Sequence, residues 1–328
     1  MRAFEFAAPK TLQEAVGLLA SNWGETEVLA GGTDLISAMK DQATTPKRVV
    51  SLKHVAGLGG VSYTPAAGLR IGAMATIGEL LDSKVVQTNY PGLIQAATGI
   101  RSQQLYAVGT VGGELLQRPR CWYFRNGFGL LAQQQGKSLV PDGDNRYHAI
   151  LGNSGPAYFV NPSSLAPMLV CLQAKVKIQG PSGNREVELG KFYKTPASAD
   201  EREYDLKPNE ILTEIVVPHH AGAKTAVYEV RQKEALDWPL AAAAVGLHMQ
   251  GNTVKGCGIV LGHVAPVPWP SQEAEDALSG KEVSEETAEA AGKAAVAKAT
   301  PLSKNAYKVQ LASVAVKRAI LAAAKGGA

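Results

Sequence analysis

The sequence predicts an α+β fold, on three observations. The first fifty or so residues alternate strand, helix, strand, helix, strand, as a small α/β unit does. The last third reads instead as three consecutive strands followed by helices, an antiparallel sheet with a helical layer. Two glycine pairs, Gly31-Gly32 and Gly112-Gly113, each end a short apolar run and open a helix.

In order, residues 4–8 read as a strand stopped by Pro9. Thr11-Leu12-Gln13-Glu14 has the form of a capping box, and Leu12, Ala15, Val16 and Leu19 follow at helical spacing, which predicts a helix to about residue 22. A strand over 28–30 runs into the first glycine turn, a short helix over 35–40 follows, and 47–52 is a further strand. Near Gly57 the texture changes: 61–63 and 69–72 read as a hairpin about the turn from Pro65 to Gly68. Thr76-Ile77-Gly78-Glu79 repeats the capping box ahead of a helix to 82, and Pro91 suits the first turn of a helix to about 100.

The segment from 117 to about 158 is loop-like, with arginines and aromatics concentrated in Arg118-Pro119-Arg120-Cys121-Trp122-Tyr123-Phe124-Arg125. So long a stretch without elements usually carries a function. An interface or ligand lid is one reading, and an insertion packed on the surface by its own aromatics is the other. Pro162 is read as opening a helix to 172, with strands over 175–179, 185–189 and 211–217. Strands over 223–231, 241–249 and 253–262 make the predicted three-stranded antiparallel sheet, and helices over 272–278, 285–298 and 305–324 cover it.

Composition narrows the class of protein. At 328 residues the chain has room for two or three domains, and 45% hydrophobic with 19% charged residues is ordinary for a globular protein. The net charge of +4 comes without a dense basic run, so no nucleic acid is expected as a partner. No window approaches a membrane span, and Glu5 interrupts the apolar start that a signal peptide needs. The chain therefore reads as cytoplasmic, or periplasmic if exported with a signal-bearing partner. Cys121, Cys171 and Cys257 are too few and too far apart for a disulfide framework. His219-His220 would point to opposite faces of an extended chain, so no metal is assigned to them.

The glycine pairs carry the chemistry. Adjacent glycines let the backbone approach a ligand and turn N–H groups toward it, while a helix N-terminus favours negative charge. Ala30-Gly31-Gly32-Thr33-Asp34-Leu35 and Gly109-Thr110-Val111-Gly112-Gly113 resemble the two diphosphate loops of the FAD-binding (medium) subunit of molybdenum hydroxylases. That group holds the medium subunit of aerobic carbon monoxide dehydrogenase and the flavin domain of xanthine dehydrogenase. The likeness spans essentially the whole chain, including Leu206-Lys207-Pro208-Asn209-Glu210-Ile211-Leu212 and Pro301-Leu302-Ser303-Lys304-Asn305-Ala306-Tyr307-Lys308-Val309. The arginine-rich run, with Asn145-Arg146-Tyr147-His148-Ala149-Ile150, is similar to the bacterial aldehyde oxidoreductase and hydroxybenzoyl-CoA reductase branch. In that branch the flavin subunit can carry a [4Fe-4S] cluster in this insertion. Each motif alone is weak; order and spacing together carry the resemblance.

The resemblance implies a two-part FAD-binding region like that of vanillyl-alcohol oxidase, over 1–56 and 57–220, and a C-terminal α+β domain over 221–328. It implies an electron relay: substrate is hydroxylated at a molybdenum cofactor on a large subunit, [2Fe-2S] clusters on a small subunit carry the electrons, and FAD delivers them to NAD, oxygen, a quinone or a ferredoxin. Such a heterotrimer asks for no catalytic residue on this chain, only placement and tuning of the cofactor. Carried over by residue, the diphosphate lies between Val28, Leu29, Ala30, Gly31, Gly32, Thr33, Asp34, Leu35, Ile36 and Thr110, Val111, Gly112, Gly113, Glu114. The donors implied are backbone N–H groups and the hydroxyls of Thr33 and Thr110, with Asp34 a cap or turn residue. Thr76, Tyr106 and Ala107 are implied as lining positions, and Leu212 as a neighbour of the flavin ring.

The chain departs from the family pattern in four places. Glu114 stands where Asn is common, Ser164 stands where the family has Asp in Ser-Asp-Leu, and Glu229 stands where a lysine is often found. The insertion holds Cys121 alone, whereas a [4Fe-4S] cluster needs about four ligands, so no cluster is expected. These departures motivate an alternative, an assembly subunit that keeps the fold without FAD.

Overall fold

The computed structural model describes residues 1–220, 222–233 and 237–326; the domain boundary read at 221 and the chain end at 327–328 lie outside the described residues. Near the N-terminus, strands Glu5–Ala7, Thr26–Leu29 and Arg48–Ser51 form a parallel sheet with Arg48–Ser51 in the middle. Parallel neighbours need crossovers, which helices Leu12–Gly17 and Leu35–Lys40 provide. The Thr11/Glu14 capping box forms. The first helix stops at Gly17, earlier than predicted. Beyond it, the Leu18 carbonyl accepts from Arg48 and the Ala20 N–H donates to Thr26 Oγ1, so side chains of the sheet replace another helical turn.

A five-stranded antiparallel sheet follows, in the order Val61–Thr64, Gly68–Gly72, Ile211–Val217, Lys175–Gly180, Gly183–Glu188. Ile211–Val217, the last of these in sequence, is the central strand. It has a register shift between Leu212 and Glu214, a bulge that bends the strand. Leu69, Ile71, Val176, Ile178 and Ile215 build a core with Leu80, Leu93 and Leu169 from covering helices. Helices Lys84–Asn89 and Gln103–Val108 were not read from the sequence; the second is N-capped by Ser102. The helix expected from Pro162 begins at Ala166. Before it, Asn161 Oδ1 accepts from the Ser163 N–H and Ser163 Oγ from the Ala166 N–H, which hold residues 161–165 in a turn. The insertion contains only the single-turn helix Trp122–Arg125 and the hairpin Gln133–Gln134/Lys137–Ser138.

The C-terminal sheet has four strands, not the predicted three. Lys224–Val230, Ala241–Gln250 and Thr253–Gly262 are joined by Trp269–Pro270, a two-residue edge too short to carry a periodic signal. Helices Gln272–Leu278, Glu285–Ala295 and Tyr307–Ala324 pack on this region. The last two touch through small residues: a Cβ on Gly292 would come within 2.4 Å of the Ser313 carbonyl oxygen. Among the described residues no helix is long and apolar enough to cross a membrane.

Candidate functional site

The first glycine turn lies directly on a neighbouring loop. A Cβ on Gly31 would sit 1.8 Å from the Val108 carbonyl oxygen, so only glycine fits there. Gly32 has φ +78°, the left-handed region, and Leu29 and Ile36 pack beneath it. The N–H groups of Gly31, Gly32 and Thr33 donate to no protein acceptor among the described residues.

The second turn is built differently. Thr110 N-caps the helix Val111–Leu115, its Oγ1 accepting from the Gly113 N–H at 3.1 Å. The N–H groups of Val111 and Gly112 donate to the carbonyls of Ala75 and Ala73. This narrows the expectation that both turns aim free N–H groups at a diphosphate: the Val111, Gly112 and Gly113 amides are engaged in the fold, and besides Thr110 the open backbone donors lie in the first turn. The glycines of the second turn serve proximity instead. A Cβ on Gly112 would meet the Ala73 carbonyl at 2.8 Å, and one on Gly113 would lie 4.0 Å from the Ala30 methyl.

Two clefts meet between the turns. The first is walled by Trp23, Glu27, Tyr204, Leu206 and Leu212, with Val28, Ala30 and Leu35 also along it. The second is walled by Ile100, Leu105, Glu114, Ser164, Arg231 and Trp238. Thr33, Asp34, Thr110, Gly113 and Gln117 line both and form the waist between them.

Glu114 does not present its carboxylate as a free charge at this waist. One oxygen accepts from Ser163 Oγ at 2.6 Å, the other from the Ser164 N–H at 2.6 Å and the Leu165 N–H at 3.4 Å. The departures at 114 and 164 are thus coupled: the carboxylate on residue 114 fastens the turn that holds Ser164. Burial pushes the Glu114 carboxyl up to about 7, against the opposing pull of these hydrogen bonds. A carboxyl raised in the folded state binds its proton more tightly there, so its contribution to stability falls as pH rises from about 4.5 through about 7.

Asp34 holds the N-cap position of Leu35–Lys40 but makes no side-chain cap bond. Its carboxylate accepts from the Arg118 N–H and pairs with Arg120 and Arg125, each at 2.8 Å. The arginine-rich insertion is therefore fastened to the first glycine turn, and Arg118 pairs in turn with buried Glu203. Glu229 is covered by Arg231, which with Arg120 lines the wall of the second cleft.

Val111 is fully buried. Thr76, Tyr106 and Ala107 line neither cleft: Thr76 caps the helix Ile77–Asp82 and bridges to Thr110, while the Tyr106 hydroxyl donates to the Thr98 carbonyl. His219 contacts the Tyr63 hydroxyl and His220 the Leu172 carbonyl. Trp23, Glu27, Tyr204, Arg231 and Trp238 escaped the sequence reading because no motif marks them; they reach the clefts from separate segments.

Residues 2–220 match the family described as the FAD binding domain in molybdopterin dehydrogenase, and residues 226–323 the CO dehydrogenase flavoprotein C-terminal domain. The chain is 30% identical over 320 residues to the aldehyde oxidoreductase FAD-binding subunit PaoB of Escherichia coli, covering 95% of each. It is 29% identical over 324 residues to the carbon monoxide dehydrogenase medium chain of Hydrogenophaga pseudoflava, covering 98% of this chain and 96% of that one. A solved structure of carbon monoxide dehydrogenase from the same organism superposes with TM-score 0.79 at 28% identity, over 100% of this chain and 99% of that chain. Quinoline 2-oxidoreductase from Pseudomonas putida gives TM-score 0.78 at 25% identity, over 99% and 98%. The chain belongs to the family of FAD-binding medium subunits of the molybdenum hydroxylases.

Proposed function

We propose that the chain holds one FAD across the two glycine turns and relays electrons within a molybdenum hydroxylase complex. The supporting observation is the waist: two clefts joined through a constriction that holds the free Thr33 N–H, with the free N–H groups of Gly31 and Gly32 beside it in the first cleft. A molecule with a ring system at each end and a diphosphate between them suits that shape. Gly113 keeps the constriction open, and Thr33 and Thr110 bring hydroxyls to it. Leu212, beside the bulge of its strand, gives the first cleft an apolar contact for one ring system. Asp34 is neutralised by its arginine partners, so the constriction carries positive rather than negative charge.

When bound, FAD supplies reversible electron transfer; the residues of this chain bind, orient and tune it. The expected partners are a large subunit with the molybdenum cofactor and a small subunit with [2Fe-2S] clusters. With Cys121 alone in the insertion, no [4Fe-4S] cluster is proposed.

The placement predicts a pH effect. Glu114 gains charge as pH rises through about 7, next to the proposed diphosphate, so FAD affinity should fall about five- to tenfold from pH 6 to pH 8. In Glu114→Gln that dependence should flatten. Fluorescence titration with FAD measures both, and an equal pH dependence in the two proteins would remove the diphosphate from this position.

A further inference from the structure

A separate cavity lies behind the second cleft, sharing with it the wall formed by Arg120, Pro162, Asp237, Trp238 and Pro239. Its other lining includes Trp122, His148, His263 and Lys308. Three buried side-chain atoms of these residues have no hydrogen-bond partner among the described residues: Arg120 Nε, His148 Nδ1 and His263 Nε2. Buried polar groups are normally satisfied, and neither histidine lines the flavin clefts. His148 and His263 are only 3% and 2% exposed.

The surroundings hold these groups in place. The Lys308 ammonium donates to the carbonyls of Tyr147, His148 and His263 at 3.3, 3.1 and 2.8 Å. Cys121 Sγ lies 3.2 Å from His148 Nε2, which occupies that nitrogen and leaves Nδ1 for the cavity. His263 adopts φ +61°, a strained backbone for a residue with a side chain, and such strain persists where the structure over-determines a position.

Charge and shape define what fits. Arg120 and Arg125 share the single carboxylate of Asp34, and Lys308 has no acidic partner among the described residues. Asp237 is the acidic residue on the cavity wall. Among the described residues that line the cavity, Arg120 and Lys308 stand against Asp237, one positive charge over. Burial first, and then the Lys308 charge, push His148 down to about 4 and His263 down to about 3, so both imidazoles are neutral, and each has one N–H donor and one acceptor nitrogen, the donor falling on the cavity-facing nitrogen in one of the two tautomers. Trp122 and Trp238 add flat apolar walls, with the Arg120 guanidinium 4.4 Å above the Trp238 ring.

We infer that this cavity binds a small aromatic carboxylate, its oxygens meeting Arg120 and the two histidines and its ring lying against the indole walls. The site does not depend on the flavin reading, because its unpartnered histidines belong to neither flavin cleft.

The test titrates the full chain with benzoate and with the neutral isostere benzamide, read by calorimetry and tryptophan fluorescence. Benzoate should bind at least about tenfold more tightly than benzamide, the ratio that one charge-assisted hydrogen bond gives. Its affinity should fall as pH rises through about 7, where burial makes Lys308 lose its proton. His263→Asn, which tolerates the same backbone conformation, should lose about tenfold in benzoate affinity and less in benzamide affinity, since a charged acceptor gains more from the hydrogen bond. Equal binding of the two ligands to the wild type would overturn the proposal without any variant. So would a His263→Asn protein that binds benzoate as the wild type does.

Discussion

Replacing Gly31 with alanine is expected to abolish FAD binding and to destabilise the protein by about 3 kcal/mol or more. The added Cβ would meet the Val108 carbonyl oxygen at 1.8 Å, its carbon at 2.8 Å and Gly109 Cα at 3.2 Å. All three are backbone atoms, so no side chain can swing aside. The two loops would have to part, which moves the free N–H groups of the first turn away from the second cleft. Gly17→Ala is the control, because a Cβ there meets nothing within 4 Å. Thermal denaturation and flavin content measured on both variants separate a local clash from a general intolerance of alanine.

Asp34→Asn should be the next most damaging change. Asn keeps an acceptor for the Arg118 N–H but removes the carboxylate that, among the described residues, Arg120 and Arg125 share. Their side chains are 26% and 13% exposed. Stranding buried charges of this kind costs about 3–5 kcal/mol, and partial exposure of Arg120 lowers the expectation to about 2–4 kcal/mol. The loss should appear first in the insertion, as faster proteolytic cleavage within 117–158 together with a lower Tm. An unchanged cleavage rate would mean that Asp34 does not fasten that segment.

Much of the fold was legible because local chemistry announces itself. The capping boxes at Thr11/Glu14 and Thr76/Glu79 formed as spelled, and the small and apolar runs over 241–249 and 253–262 gave two paired strands of the C-terminal sheet. What stayed hidden depended on partners far away in sequence. The first helix ends early because Arg48 and Thr26 satisfy the chain beyond it, and the helix after Pro162 starts late because side chains of its own turn hold residues 161–165. The same holds for the site. Gly31 and Gly112 could be read as backbone-approach glycines, but the sequence could not say that they approach other protein segments. Glu114 read as a charge facing a diphosphate; the structure ties it to Ser163 and Ser164, residues about fifty positions on. The arginines of the insertion were legible as a cluster, and their target Asp34 was not.

The flavin content of the purified chain, isolated with its partner subunits, tests the central claim most directly. One FAD per chain is predicted, with its visible absorption bleaching when the complex receives a substrate of its molybdenum subunit. A complex that assembles and turns over substrate with no FAD on this chain would contradict the account and leave the protein as an assembly subunit.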